Sequence, residues 1–368
     1  MVAGTAAAIV LGVVVFVLVR DDELTPSPTC EAEPRVTRLR SSPPPGAGAP
    51  ADAAADADAE QDAGDADPSF RPAGAASVYC EDLADPFVLR VDQALRSRLF
   101  VYGTNTNDAN VPVLFTTSVL RSERIEDALP ALPPWAEPGG TWAPSVLQRG
   151  DRFVLFYTVT DGGSGLQCIS VATSLDPEGP FEDTSAGPLI CPQELGGAID
   201  PSPFVAGDGA AFLLWKNDGN CCGKPTAIHI QPLATDGLTV TGLPTQLIDA
   251  NQVWEASLVE GPSMVEHDGV FYLFYSANAW DSAAYAIGYA TCDTPTGPCQ
   301  KPLDHPWLGA SGDAAGPGGQ ELFLDPDDRL RMVFDAWPAD RVGYRAGGFR
   351  SLYTVGVGFV DGAPVTEP

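Results

Sequence analysis

From about residue 80 onward, apolar residues fall in short runs broken by polar turns, without the three-to-four spacing of an amphipathic helix. Five stretches share one layout: a start that carries proline, an apolar strand, a polar turn and a second apolar strand. The first runs Asp85-Pro86-Phe87-Val88-Leu89 and returns as Leu99-Phe100-Val101-Tyr102. The second runs Trp142-Ala143-Pro144-Ser145-Val146, turns at Gly150-Asp151 and returns as Phe153 to Tyr157. The third runs Asp200-Pro201-Ser202-Pro203-Phe204, turns at Gly207-Asp208-Gly209 and returns as Ala211 to Trp215. The fourth starts at Glu260-Gly261-Pro262-Ser263-Met264, turns at His267-Asp268-Gly269 and returns as Val270 to Tyr275. The fifth starts at Gly316-Pro317-Gly318, turns at Asp325 to Asp328 and returns as Leu330 to Phe334.

The starts Asp85, Trp142, Asp200, Glu260 and Gly316 lie 57, 58, 60 and 56 residues apart. A regular period of this length built from hairpins signals a solenoid or a propeller, and the Asp-Gly turns suit hairpins. Further strands follow in each unit, such as Cys168 to Ala172 and Ala286 to Ala290. The spacing therefore predicts an all-β fold over 77–368, a five-bladed β-propeller of four-stranded blades. Tyr353 to Val360 would supply a late strand that helps close the ring.

The N-terminal part is different material. Val2 to Val19 is an unbroken apolar run, at ~27 Å just long enough to cross a bilayer core as a helix. Residues 1–20 are expected to be a signal anchor or signal peptide, which would place the chain outside the cytoplasm, secreted or held by that membrane anchor. Residues 21–76 are rich in Ala, Asp, Gly and Pro and carry no aromatic residue between Asp21 and Ser69. Such a segment cannot bury enough surface to offset its ordering entropy and reads as a disordered linker.

Composition narrows the function. Acidic residues outnumber basic ones 49 to 20, a net charge of −29, which argues against nucleic acid as a partner. Three scattered histidines, His229, His267 and His305, exclude a His-rich metal cluster. The eight cysteines include no CxxC pair and read as disulfides. Cys292 and Cys299 flank a turn, and Cys168 and Cys191 bracket a strand–loop unit. For the adjacent Cys221 and Cys222, a bond to each other and separate partners are both open.

In a propeller the first strand of each blade lines the central channel. Asp85, Asp200 and Glu260 would then send three carboxylates into one funnel, with Trp142 as an aromatic platform beside them. Such a set suits glycoside hydrolysis, in which one acid protonates the leaving oxygen and one base activates water. Trp280, Tyr285 and Arg350 are further candidates for sugar contact. The stripes at 153–157 and 270–275 read as core.

The segments Ala84-Asp85-Pro86-Phe87, Thr141-Trp142-Ala143-Pro144, Ala198-Ile199-Asp200-Pro201-Ser202 and Val259-Glu260-Gly261-Pro262 together resemble glycoside hydrolase family 43, the arabinanase, arabinofuranosidase and β-xylosidase family of five-bladed propellers. The resemblance runs from about Cys80 to the end. It implies an inverting hydrolase of α-L-arabinofuranosyl or β-D-xylosyl linkages in plant-type or cell-wall polysaccharides. It implies Asp85 as general base, Asp200 as the residue that tunes and orients the acid, and Glu260 as general acid. Two rivals are a catalytically silent polysaccharide-binding propeller and a retaining glycosidase of the levanase or invertase type. The chain departs from the pattern at Ser145, where relatives often carry Asp. It also departs at Gly319-Gln320, where many carry a His that holds a hydrated axial cation, and at Asp335, where some carry His. No cofactor is expected, no metal ligand is assigned, and these departures weaken the case for a structural calcium.

Overall fold

The computed structural model describes residues 75–93, 96–118 and 121–367. The apolar segment Val2 to Val19 and the linker up to residue 74 lie outside the described residues, as does Cys30. The chain forms 20 strands and four short 3-10 turns among the described residues. Strand β1 (Ala76–Tyr79) comes first. Blade 1 follows with β2 (Phe87–Gln93), β3 (Arg96–Tyr102), β4 (Pro112–Ser118) and β5 (Arg121–Asp127). Blade 2 has β6 (Ala136–Arg149), β7 (Arg152–Asp161) and β8 (Gln167–Ser174). Blade 3 has β9 (Ala198–Val205), β10 (Ala211–Asn217), β11 (Ala227–Pro232) and β12 (Thr245–Asp249). Blade 4 has β13 (Val259–His267), β14 (Val270–Ala277), β15 (Ala286–Cys292) and β16 (Cys299–Gln300). Blade 5 has β17 (Ala314–Leu324), β18 (Leu330–Pro338) and β19 (Ser351–Val360), and β20 (Ala363–Glu367) ends the chain.

All named pairings are antiparallel and, β1 with β19 apart, join consecutive strands, with the first strand of each blade's meander innermost. The inner strands touch in sequence, β2 with β6, β6 with β9, β9 with β13, β13 with β17 and β17 back with β2, so the ring is closed. The five-bladed propeller is thus present, with two differences from the expected layout. Blade 2 has three strands, and two isolated bridges along β8, Thr173 with Glu182 and Ile169 with Ile190, stand where a fourth would be. Closure also takes in the N-terminal strand. The segment expected to help close the ring is β19, third in blade 5, and β1 pairs with its first half while β20 pairs with its second.

The core lies between blades. Alternate residues of a strand face opposite sides of its sheet, so each second strand feeds two clusters. On β7, Phe153, Leu155 and Tyr157 pack against blade 1, while Val154 and Phe156 pack against blade 3. On β14, Leu273 and Tyr275 face blade 3, while Tyr272 and Phe274 face blade 5. Two disulfides staple the outer parts, Cys168–Cys191 and Cys292–Cys299.

One layer of the inner strands is polar. Ser145, Ser202, Ser263 and Glu321 share one register position, opposite Phe156, Leu214, Phe274 and Val333. The Glu321 carboxyl from blade 5 lies beside the hydroxyls of Ser263 and Ser202, on blades 4 and 3. Burial pushes it up from an ordinary 4.5 to about 8, against the pull of those hydroxyls. Between these two pH values the folded chain keeps a proton that the unfolded chain releases, so stability falls as pH rises through that window. Urea midpoints from pH 4.5 to 8 are expected to decline, and Glu321→Gln is expected to flatten part of the decline. An unchanged slope in the variant would show that Glu321 is ionised in the folded protein.

Candidate active site

At the mouth of the funnel every inner strand is kinked by a residue in the left-handed region. These residues are Asp85, Ala143, Asp200, Gly261 and Gly319, with φ of 50°, 41°, 56°, 56° and 58°. Each lies two residues before the position of the polar layer, which is Phe87 in blade 1. Four are followed by proline, whose ring disfavours the right-handed helical region for the preceding residue. The kink shifts the pairing register in blades 2 to 5. Trp142 and Glu260, expected to match Asp85 and Asp200, therefore stand one residue before the kink. Blade 5 kinks at this level at Gly319, three residues past the expected Gly316.

The five kinked residues share a further feature. Each donates its N–H to a side-chain oxygen of the preceding blade. Asp85 N bonds Asp335 Oδ2 at 2.7 Å, Ala143 N bonds Thr104 Oγ1 at 3.0 Å, and Asp200 N bonds Thr158 Oγ1 at 3.2 Å. Gly261 N bonds Asp200 Oδ2 at 2.8 Å, and Gly319 N bonds Ser276 Oγ at 3.0 Å. These bonds run once round the ring and stitch each blade to the next at the level of the carboxylates.

The polar groups fall into two sets. In the first, Asp85 accepts a bond from Thr104 Oγ1 at its Oδ2 (2.6 Å) and faces Arg350 Nη1 from its Oδ1 (3.5 Å). Arg350 is buried and also lies 3.7 Å from Asp335 Oδ2. Burial pushes the Asp335 carboxyl up to about 7, against the pull of Arg350. In the second set, Glu260 accepts bonds from Lys216 Nζ at Oε2 (2.9 Å) and from the Tyr285 hydroxyl at Oε1 (2.8 Å). Lys216 is fully buried and also faces Asp218 Oδ1 at 3.7 Å. Asp200 sits between the sets. Burial pushes it up to about 7, helped by the charges of Glu260 and Asp85 and opposed by Lys216.

Asp85, Asp200 and Glu260 thus converge from blades 1, 3 and 4. The other candidates are placed differently. Tyr285, expected on the wall, is 3% exposed, and its ring edge crosses Gly318 so closely that a Cβ there would sit 1.9 Å from it. It holds Glu260 instead of facing open solvent. Arg350 is walled in by the rings of Trp280, Trp337 and Tyr344 at 5.0, 5.9 and 6.0 Å. Trp280 is 36% exposed, with Trp337 stacked on it and the Arg350 guanidinium over its ring. Trp142 is half-buried beside Ala143. Gln320, where the resemblance would place a cation-holding His, accepts from Ser276 Oγ (2.7 Å) and donates to Gly261 O (2.6 Å). Both ends of its amide are engaged, so it does not fit a cation's ligand shell.

Lys216, Thr104, Asp218 and the acceptor role of Asp335 were not singled out from the sequence. Lys216 had a signal, since it is one of three lysines in the chain and ends the apolar run Phe212 to Trp215. Thr104 and Asp218 had none, because they reach the site through loops whose course no local pattern sets.

Residues 76–348 match the glycosyl hydrolases family 43. The chain is 31% identical over 176 residues to a β-D-galactofuranosidase of Aspergillus niger, a match covering 45% of this chain and 47% of that protein. It is 29% identical over 186 residues to an arabinoxylan arabinofuranohydrolase of Bacillus subtilis, covering 45% of this chain and 34% of that one. The matches thus span about a third to a half of those relatives. A crystal structure of a thermostable family-43 glycoside hydrolase superposes with a TM-score of 0.68 at 27% identity, covering 78% of this chain and 93% of that one. The match over most of the described residues, on the same fold, makes this chain a member of glycosyl hydrolases family 43.

Proposed function

We propose that the chain hydrolyses α-L-arabinofuranosyl linkages of polysaccharides or oligosaccharides with inversion, with β-D-xylosyl linkages as the nearest alternative. The observation that supports this most is the convergence of Asp85, Asp200 and Glu260 on one funnel in two separately bonded sets. In this reading Asp85 is the base. Thr104 and Arg350 fix its two oxygens, so that it can take a proton from a water on one side of the sugar. Glu260 is the acid on the other side, oriented by Lys216 and Tyr285. Asp200, pushed up to about 7, retains a proton next to Glu260 near neutral pH, and the two carboxyls act as a coupled pair. Trp142 and the exposed part of Trp280 offer apolar surface for sugar C–H groups. No cofactor enters the scheme. The disulfides fit an oxidising, extracytoplasmic compartment.

The Aspergillus relative favours a second reading, β-D-galactofuranosyl hydrolysis. That sugar and α-L-arabinofuranose share a ring configuration and differ in the exocyclic arm. A panel of 4-nitrophenyl arabinofuranoside, xyloside and galactofuranoside, with linear arabinan and arabinoxylan, decides among these. Turnover of none of them would overturn the hydrolase reading.

Loss of the acid has a recognisable signature. Glu260→Ala is expected to slow substrates with poor leaving groups by roughly 10²–10⁴-fold and activated aryl glycosides much less. Asp85→Ala is expected to slow both kinds alike. Equal losses in the Glu260 variant would move the acid role to Asp200.

Above about pH 7, where Asp200 is ionised, Asp200→Asn removes a negative charge beside the acid. The alkaline limb of kcat/KM, set by loss of the pair's proton, is then expected to move to lower pH. A limb that stays in place would mean that Asp200 does not tune the acid.

A further inference from the structure

The bond between Cys221 and Cys222 joins neighbours in the chain. Cross-links stabilise by enclosing a loop, and this one encloses none, so it is not a staple of the kind made by Cys168–Cys191. Both residues are exposed. They belong to the loop that leaves β10 at the funnel mouth. Strand β10 ends at Asn217, opposite Ala198, just as β14 ends at Ala277, opposite Val259. In blade 4 the exposed Trp280 lies three residues past that end. In blade 3 the sulfur pair lies four and five residues past it. The disulfide thus stands on the blade-3 loop that corresponds, by its position past the inner hairpin, to the blade-4 loop that carries the partly exposed Trp280.

The segment is braced and tied to the acid. Asn217 Nδ2 donates to Leu195 O (3.1 Å) and Pro225 O (2.9 Å), and Lys224 Nζ donates to Glu194 O (2.6 Å). Cys221 Sγ lies 3.5 Å from Gly196 O. Asp218, three residues before Cys221, faces the Lys216 that holds Glu260. A disulfide is a compact, polarisable, apolar surface without strong hydrogen-bonding groups, the kind of surface that suits the C–H face of a sugar ring.

We propose that the Cys221–Cys222 disulfide is a platform for the sugar on the leaving-group side of the cleaved bond. The side follows from the reading of Glu260 as proton donor to the leaving oxygen, and the proposal rests on that reading. The platform holds a furanosyl or xylosyl unit of an oligosaccharide and has no counterpart to hold when the leaving group is not a sugar.

The test compares the parent with Cys221→Ala/Cys222→Ala and Cys221→Ser/Cys222→Ser, each checked for an unchanged thermal midpoint. Arabino- and xylo-oligosaccharides are set against the 4-nitrophenyl glycosides of the same sugars. KM for the oligosaccharide is expected to rise by about tenfold, as loss of one buried apolar contact would give, with kcat little changed and the nitrophenyl glycoside within about twofold. Calorimetric binding of the oligosaccharide to Glu260→Gln, with the pair intact or replaced, is expected to weaken by a similar factor. Unchanged binding, no binding even with the pair intact, or equal losses on both substrate kinds would overturn the proposal. A parent that binds oligosaccharide through the sulfur pair but hydrolyses nothing would sink the hydrolase reading and leave the platform standing.

Discussion

The bond from each kinked N–H to the preceding blade is the interaction on which the site depends. A residue ahead of proline is disfavoured in right-handed helical angles, and a left-handed conformation costs a residue with a Cβ roughly 1–2 kcal/mol. Asp85, Ala143 and Asp200 bear that cost, and their N–H groups cannot join a regular ladder at the kink. Each is satisfied by an oxygen one blade back, from Asp335, Thr104 and Thr158. An unmet buried N–H costs about 1–3 kcal/mol, so the acceptors are as much a part of the site as the carboxylates. Where Gly261 and Gly319 take the kink, the left-handed angle carries little strain. In blade 4 this frees the preceding position for Glu260.

The same bonds carry chemistry. Asp335 accepts the N–H of Asp85 and shares Arg350 with its carboxylate, so one buried acid positions another. Asp200 accepts the N–H of Gly261, next to Glu260, and its own carboxyl is pushed up by burial and by the charge of Glu260. Buried charge is costly unless paired. The funnel meets this with two buried cations, Arg350 toward blades 1 and 5 and Lys216 toward blades 3 and 4. Each cation stands between two acids, which keeps the two halves of the site distinct in hydrogen bonding.

Much of this could be read from the residues. The repeat near 58 residues showed the blades, and Asp85-Pro86, Asp200-Pro201 and Glu260-Gly261-Pro262 showed where carboxylates enter the funnel. The one-residue offset at Trp142 and Glu260 was hidden, because Asp-Pro and Glu-Gly-Pro look alike until φ shows which residue takes the kink. Lys216, Asp335 and Thr104 act across blades, more than 40 residues from Glu260 in the first case and 250 from Asp85 in the second, and no local pattern reports such pairings. Tyr285 and Arg350, named from the sequence as candidates for sugar contact, lie against Glu260 and Asp85. Their burial, and with it their role in holding carboxylates, depends on neighbours supplied by other blades. Closure by β1 was missed because its four residues follow a long polar segment and carry too short a pattern.

The central claim is that water attacks from the Asp85 side while Glu260 protonates the opposite side. The most direct test is proton NMR of the first sugar released from a 4-nitrophenyl glycoside that the chain cleaves, recorded before mutarotation. The account predicts a product of inverted anomeric configuration, as expected when the two carboxyls leave room for a water between them. A first product that retains the configuration would contradict it, and would require one of the carboxylates to act as a nucleophile.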